Sequence, residues 1–263
     1  MTIQITIVRI EEYGPWTLTL GSDREAHLQM LQSKIYYDIQ RLFSEKECLA
    51  YSNRFDEHFV ITNGLALQDH ITIQTELATI YKNLKLSMAI GKGNTPFEAN
   101  MSAYDARKTE RFLNKETRIF GQTMSLSSST TSNSGSSDEF VQIMHIDIDG
   151  SAKVGSKLSP YEITSLVIQI YSKLSKEFLK KGAMTFFIGG DNFMIISNNV
   201  TKENAEKAIK SITRSMDIKL NCGIGIGRTG RKAAEAATRA LDIIRDLRDE
   251  GKVQPFYEIQ CLW

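Results

Sequence analysis

The sequence predicts an α+β protein assembled from two tandem copies of one ferredoxin-like unit, and three observations predict it. A serine-rich stretch interrupts the chain near its middle. The order of elements is the same on either side of it. Equivalent residues in the two halves are separated by a nearly constant number of positions.

The interruption, GQTMSLSSSTTSNSGSS at 121–137, holds one leucine, one methionine and no aromatic residue, so it has nothing to bury and reads as a linker. A surface loop inside a single domain is the other reading, and the flanks decide between them. Gln4–Ile10 and Gln142–Ile148 are apolar runs that end in glycine-containing turns, which predicts two buried strands. A helix follows each. Ser22 with Glu25 reads as one capping box, and Ser159, Pro160 and Glu162 as another. Leu28, Leu31, Ile35, Ile39 and Leu42 repeat at three and four residues, as do Ile163, Val167, Ile170, Leu174 and Phe178, giving each helix one apolar face. Hairpins come next, at 50–64 and 184–199, with Asp56 and Asp191 at their turns. A second helix then leads to a glycine-rich strand, LSMAIGKG or LNCGIGIG, and a final helix.

The offsets are 138 for Gln4 to Gln142, 135 for Asp56 to Asp191 and 134 for Ile90 to Ile224. Spacing this regular indicates duplication. Each half runs strand, helix, hairpin, helix, strand, helix, close to β-α-β-β-α-β with one helix added. The expected layers are a sheet containing antiparallel strands with helices on one face. The expected units are 1–120 and 139–263, joined by a linker at 121–138.

Composition narrows the partners. The 263 residues carry 32 basic and 31 acidic side chains, a formal charge of +1, so no global field draws the chain to nucleic acid or to an anionic membrane. Any anionic ligand must be held locally. Cys48, Cys222 and Cys261 are scattered and odd in number, which argues against disulfides and structural zinc and fits a cytoplasmic protein. No run approaches the ~20 apolar residues of a membrane helix.

Chemistry concentrates at HIDIDGS. Asp147 and Asp149 are two apart and share one side of an extended chain, next to the hairpin that carries Asp191. Carboxylates from both elements can share magnesium, which takes oxygen ligands and keeps substrate phosphates in its shell. Gly189 and Gly190 precede Asp191 and admit a ligand where a side chain would block it. The turns at Gly150 and Gly14 offer amides to phosphate oxygens, and Arg228, ending the glycine-rich strand, is a candidate triphosphate contact. GIGIGRTG at 223–230 lacks the spacing and acidic residue of a dinucleotide fingerprint. His27, His58, His70 and His145 show no zinc spacing, and His145 reads as a packed or hydrogen-bonded residue on the Asp147 side of its strand.

HIDIDG at 145–150, FFIGGDNF at 186–193 and the run from Gly223 to Lys252 resemble the palm domain of GGDEF diguanylate cyclases. Asn192 departs from that motif, which has an acidic residue there. Nearly the whole chain is similar to archaeal GTP cyclohydrolase III, through ITIVRIEEYGPWTLTL, RFDEHFVITNG, the TPFEA segment and IGGDNFM. That resemblance implies tandem palm units, assembly as a homotetramer, two Mg2+ ions and help from K+. It implies hydrolysis of GTP to 2-amino-5-formylamino-6-(5-phosphoribosylamino)pyrimidin-4(3H)-one and phosphate. Carried onto this chain, it makes Asp147 and Asp191 catalytic, Asp147, Ile148 and Asp191 the metal set, and Gly14, Phe55, Gly150, Gly189, Gly190 and Arg228 the nucleotide-binding set. A second carboxylate set, Glu11 and Asp56 with Arg54 and Phe55 in place of the glycines, stays open in the first half. So do two other functions, a nucleotidyl cyclase and a palm that binds GTP without turning it over.

Overall fold

The computed structural model describes residues 2–122, 140–150 and 155–261. They divide into two compact units, one built around Ile3–Gly93 and the other around the chain that follows Phe140. The first contains β1 (Ile3–Ile10), α1 (Tyr13–Leu18), α2 (Glu25–Ser44), β2 (Leu49–Arg54), β3 (Glu57–Ile61), α3 (Leu67–Ile80), β4 (Leu86–Gly93), α4 (Pro96–Lys108), β5 (Phe112–Asn114) and β6 (Ile119–Gly121). The second contains β7 (Val141–Ile148), α5 (Pro160–Leu179), β8 (Met184–Gly189), β9 (Asn192–Ile196), α6 (Lys202–Met216), β10 (Leu220–Gly227), α7 (Gly230–Asp249) and β11 (Phe256–Cys261).

The first sheet is ordered β2-β3-β1-β4-β6-β5 and the second β11-β10-β7-β9-β8. The strands with near-continuous apolar runs, β1 and β7, are central in each, and every residue of β7 is buried. Pairing registers recur between the sheets. Thr6 faces Ile90 across β1 and β4, and Met144 faces Ile224 across β7 and β10. Leu49 faces Ile61 in one hairpin and Met184 faces Ile196 in the other. Both hairpins break register at the same place, Ser52/Arg54 and Phe187/Gly189.

Helices lie on both faces of each sheet, not on one. Met144, Ile146 and Ile148 join Val167, Ile170 and Leu174 of α5 and Ile209 and Ile212 of α6 in one core. The alternate residues of β7 point the other way, toward α7, where His145 meets Thr238 and Asp147 meets Arg245. The glycine-rich strand makes this second layer close. A Cβ built on Gly225 would lie 2.1 Å from the Ala233 carbonyl oxygen and 2.2 Å from the Ala237 nitrogen, and Gly91 stands in the same relation to Ala99 and Ala103 of α4. The glycines of LNCGIGIG therefore seat a helix.

Other local expectations fare differently. Ser159 accepts from the Glu162 amide and Glu162 reaches back to Ser159, the predicted capping box. Ser22 and Glu25 form none, because α2 begins at Glu25 itself behind Arg24, two residues later than the motif requires. Gly121 belongs to β6, where it pairs with Ile90, so the linker cannot start there. From 123 on, the expected linker lies outside the described residues. No helix among the described residues is long and apolar enough to cross a membrane.

Candidate functional site

Asp147 is the penultimate residue of β7 and is 5% exposed. It faces Asn221 across β10. Its Oδ2 accepts from Arg245 Nη2 at 2.8 Å, and its Oδ1 is buried without a hydrogen-bond partner among the described residues. Asp149, two residues on, accepts from Arg248 Nη1 at 3.2 Å. Strand positions two apart thus meet helix positions three apart, both on one face of their elements. The charge of Asp147 and its hydrogen bond lift the Arg245 pKa, against burial, so the guanidinium stays charged.

Asp191 caps the β8–β9 hairpin. Gly189 at φ +112 and Gly190 at φ +61 lie in backbone regions that glycine tolerates, which is why this turn needs them. The apolar approach is less buried than the sequence suggests, since Phe187 and Ile188 are 45% and 44% exposed at the tip. The Asp191 Oδ1 accepts from Asn192 Nδ2 at 3.1 Å. The Asn192 Oδ1 in turn lies 3.0 Å from His145 Nε2, and His145 Nδ1 lies 3.1 Å from Thr238 Oγ1. Burial holds the His145 pKa below the ordinary histidine value, partly offset by Asn192 and the Asp147 charge.

The remaining expected residues scatter. Gly150 sits at φ +69 directly after Asp149, at a turn whose next residues, 151–154, lie outside the described part. Ile148 is 4% exposed, and only its main-chain carbonyl could serve a cation. Gly14 lies inside the short helix α1, not in an open turn, and its carbonyl accepts from Thr17 Oγ1. Phe55 is 65% exposed at the tip of the other hairpin. Arg228 is misplaced for this site. β10 runs antiparallel to β7, so Gly227 faces Val141 and Arg228 follows at the far end, seven positions or ~23 Å along the strand from Asn221. It covers the Phe140 ring at 5.8 Å.

A pocket of about 320 Å³ opens beside Asp149. Lys210, Lys219, Arg248 and Lys252 contribute its charge, and Ile209, Leu220, Ile244 and Phe256 its apolar wall. Arg248 pairs with Asp149, Lys210 with Glu206 at 2.9 Å and Lys252 with Glu250 at 2.7 Å, so the charge available to an anion comes from Lys219 and from cations that would exchange exposed partners. The sequence reading missed Arg245, Arg248 and Lys219. The signal was available in IIRDLRDEGK, where Arg245 and Arg248 sit three apart on the polar side of an amphipathic run.

In the first unit Arg9 stands where Asp147 does, since Arg9 faces Ser87 as Asp147 faces Asn221, and Glu11 stands where Asp149 does. The two carboxylates of the alternative set are engaged. Both oxygens of Glu11 accept from Arg107, at 3.0 Å from Nε and 2.7 Å from Nη2, and Oε1 also accepts from Ser87 at 2.5 Å. Burial would raise the Glu11 pKa, but these hydrogen bonds and the Arg107 and Arg9 charges hold it below the ordinary glutamate value. Asp56 pairs with Arg54 at 3.5 Å.

Comparison with known proteins adds one decisive finding. The family described as GTP cyclohydrolase III matches residues 3–256. The chain belongs to the GTP cyclohydrolase III family. A relative of that name from Methanothermobacter thermautotrophicus is 36% identical over 92% of this chain and 94% of its own. Another, from Methanocaldococcus jannaschii, is 36% identical over 92% of this chain and 88% of its own. Family membership thus extends across both units. Among solved structures, the active GGEEF domain of a diguanylate cyclase from Vibrio cholerae is 18% identical, with a TM-score of 0.35 over 45% of this chain and 83% of that one.

Proposed function

We propose that this member of the GTP cyclohydrolase III family hydrolyses GTP to 2-amino-5-formylamino-6-(5-phosphoribosylamino)pyrimidin-4(3H)-one and phosphate, and that the second unit carries the chemistry. The observation behind the assignment to that unit is the contrast between Asp147, whose place in the first unit is taken by Arg9, and Glu11, the carboxylate at the end of β1. Asp147 keeps a buried carboxylate oxygen with no partner among the described residues, whereas Glu11 spends both oxygens on Arg107. A buried anionic oxygen left unmatched is costly unless something else satisfies it, and a hard cation is the natural partner.

The donors suit magnesium in kind and number. Among the described residues no group of three or more His, Cys, Asp or Glu could hold a metal, which is unlike a closed protein cage. Mg2+ commonly uses one or two carboxylates and completes its shell with water and substrate phosphates. Asp147 Oδ1, the Ile148 carbonyl and Asp191 are the groups that would hold it. When bound, Mg2+ supplies charge neutralisation at phosphate and lowers the pKa of water it holds. A pair of ions, and stimulation by K+, are proposed on family grounds.

The chain's own residues do the rest. Arg245 fixes Asp147 through Oδ2 while leaving Oδ1 open. Lys219, Arg248 and Lys252 receive the triphosphate in the pocket beside Asp149, and its apolar wall lies against the uncharged part of the nucleotide. Ring opening consumes one water, breaks the C8–N9 bond and leaves the former C8 as a formyl group on N7, and two further waters cleave the two phosphoanhydride bonds and release two phosphates. Gly150, Gly189 and Gly190 shape the turns around this region, and Gly14 and Phe55 in the first unit are proposed as further nucleotide-binding residues.

The recurring registers support an origin by duplication, with palm-like units at 1–120 and 139–263 around a linker at 121–138, its start moved beyond Gly121. A cytoplasmic homotetramer is the proposed form. Incubation with GTP and Mg2+, with products resolved by mass spectrometry, tests the reading. A ring-opened pyrimidine that retains the formyl carbon is expected, while a cyclic nucleotide with pyrophosphate, or unchanged GTP, would overturn it.

A further inference from the structure

The geometry points to His145 and Asn192 as positioning residues for Asp191: a hydrogen-bond chain from Thr238 on α7, through the His145 ring and the Asn192 amide, holds the Asp191 carboxylate by one oxygen and leaves the other for the cation. This inference rests on the proposed role of Asp191.

Each link has one direction. A carboxylate only accepts, so Asn192 presents its NH2 group to Asp191 Oδ1, at 3.1 Å. The Asn192 carbonyl oxygen therefore faces His145 Nε2, at 3.0 Å, and that nitrogen must carry the proton. His145 Nδ1 is left with a lone pair and accepts from the Thr238 hydroxyl at 3.1 Å. The anionic charge at one end thus selects the amide orientation and the ring tautomer.

The other sheet has the register but not the chain. By the same offsets Ile7 stands where His145 does, and Glu57 where Asn192 does. An isoleucine cannot donate, and Glu57 pairs with Arg9 and Arg54. The relay is therefore particular to the unit with the open Asp147 oxygen. It also gives a reason for an amide at 192, since an acid there would set two carboxylates side by side and would need a charged ring behind it.

The test uses the full chain and four variants. His145→Ile copies the other unit, Asn192→Leu breaks the chain at a partly exposed turn, His145→Gln keeps an N–H donor, and Asp191→Asn is the control. Mn2+ binding is followed by electron paramagnetic resonance with and without a non-hydrolysable GTP analogue, beside Mg2+ activation of turnover. Outer partners of metal ligands typically matter about 10- to 100-fold in affinity or activity. His145→Ile and Asn192→Leu should weaken Mn2+ binding and raise the half-activating Mg2+ concentration by about tenfold or more, while His145→Gln recovers most of the loss. Folded His145→Ile and Asn192→Leu proteins with unchanged Mn2+ binding, against an Asp191→Asn protein that has lost it, would overturn the positioning role alone. Unimpaired Asp191→Asn protein would overturn the reading of the site, and this inference with it.

Discussion

Gln4 and Gln142 share three matching hydrogen bonds, one set in each sheet. The Gln4 main-chain N–H donates to Asn63 Oδ1, and its side-chain amide donates to Thr62 Oγ1 and the Leu65 carbonyl. The Gln142 N–H donates to Asn198 Oδ1, and its amide to Ser197 Oγ and the Val200 carbonyl. Each glutamine ties the start of a central strand to the turn after the hairpin. A buried partner left unmatched costs roughly 1–3 kcal/mol. Gln4→Leu and Gln142→Leu should each destabilise by about that much in urea titrations. A change within about 0.5 kcal/mol, the range of ordinary surface substitutions, would show the set to be incidental.

Asp147→Asn and Asp191→Asn should each lower turnover on the order of 100-fold or more, since one positioned metal supplies several kcal/mol of transition-state stabilisation. Folding should change far less. The losses should not add, because residues acting as a unit are non-additive, so the double variant should match the worse single one. Near-normal turnover in both single variants, with loss in Asp56→Asn, would move the chemistry to the first unit.

Lys219→Ala, Arg248→Ala and Lys252→Ala should raise KM for GTP by about tenfold each, as expected for a lost charge-assisted phosphate contact, with a smaller effect on kcat. Added salt should raise the wild-type KM, and should raise it less in Arg248→Ala, since one screened contact is gone. Arg228→Ala, at the other end of β10, serves as the comparison and should leave KM alone.

His58 is 2% exposed, neither ring nitrogen has a hydrogen-bond partner among the described residues, and the ring stacks on Tyr36 at a centroid distance of 5.6 Å. Burial pushes its pKa down to about 4. An unfolded chain with an ordinary histidine pKa near ~6.5 binds a proton between that value and about 4 that the folded chain refuses, so stability falls as pH falls through this window. The full penalty is about 3 kcal/mol, reached below pH ~4. At the matching position of the second unit Phe193 stacks on Tyr171. His58→Phe should therefore fold and lose less stability between pH ~7 and ~5 than wild type in thermal melts. An unchanged pH slope would mean that His58 does not carry it.

Much of this was legible in the sequence because periodicity reports burial. The apolar runs at Gln4–Ile10 and Gln142–Ile148, the hairpins with Asp56 and Asp191 at their turns, and the Ser159 capping box all rest on local patterns. The second helical layer was not, since the glycines of β4 and β10 look like flexibility until the alanines of α4 and α7 are seen against them. The distance of Arg228 from Asp147 was hidden for a related reason: proximity to a glycine-rich strand end says nothing of which end faces Asp147, and only the antiparallel register decides it. Asn192 was legible as a departure from a motif, but its partner His145, and Thr238 beyond that ring, lie 47 and 46 residues away on either side. The free oxygen of Asp147 and the engaged ones of Glu11 depend on which arginine reaches which strand, a matter of tertiary packing.

The packing of α7 on β10 gives the last prediction. Gly225 is not among the glycines with positive φ, so an alanine there meets no conformational objection. The obstacle is space. Its Cβ would stand 2.1 Å from the Ala233 carbonyl oxygen and 2.2 Å from the Ala237 nitrogen, both backbone atoms of one helix that cannot rotate aside. The whole of α7 must retreat, carrying Arg245 and Arg248 with it. Gly225→Ala should therefore destabilise by about 1–3 kcal/mol or more, the range for overpacking, and should weaken Mg2+ activation because Asp147 and Asp149 lose their register with those arginines. Gly91→Ala, which meets Ala99 and Ala103 in the same way, should destabilise without that second effect if the first unit holds no catalytic cation. Gly14→Ala supplies the contrast, since a Cβ there meets nothing within 4 Å and the residue lies in a helix, where alanine is favoured over glycine by up to about 1 kcal/mol. Equal melting temperatures for Gly225→Ala and Gly14→Ala would mean that α7 is not held against the strand as closely as the backbone distances require.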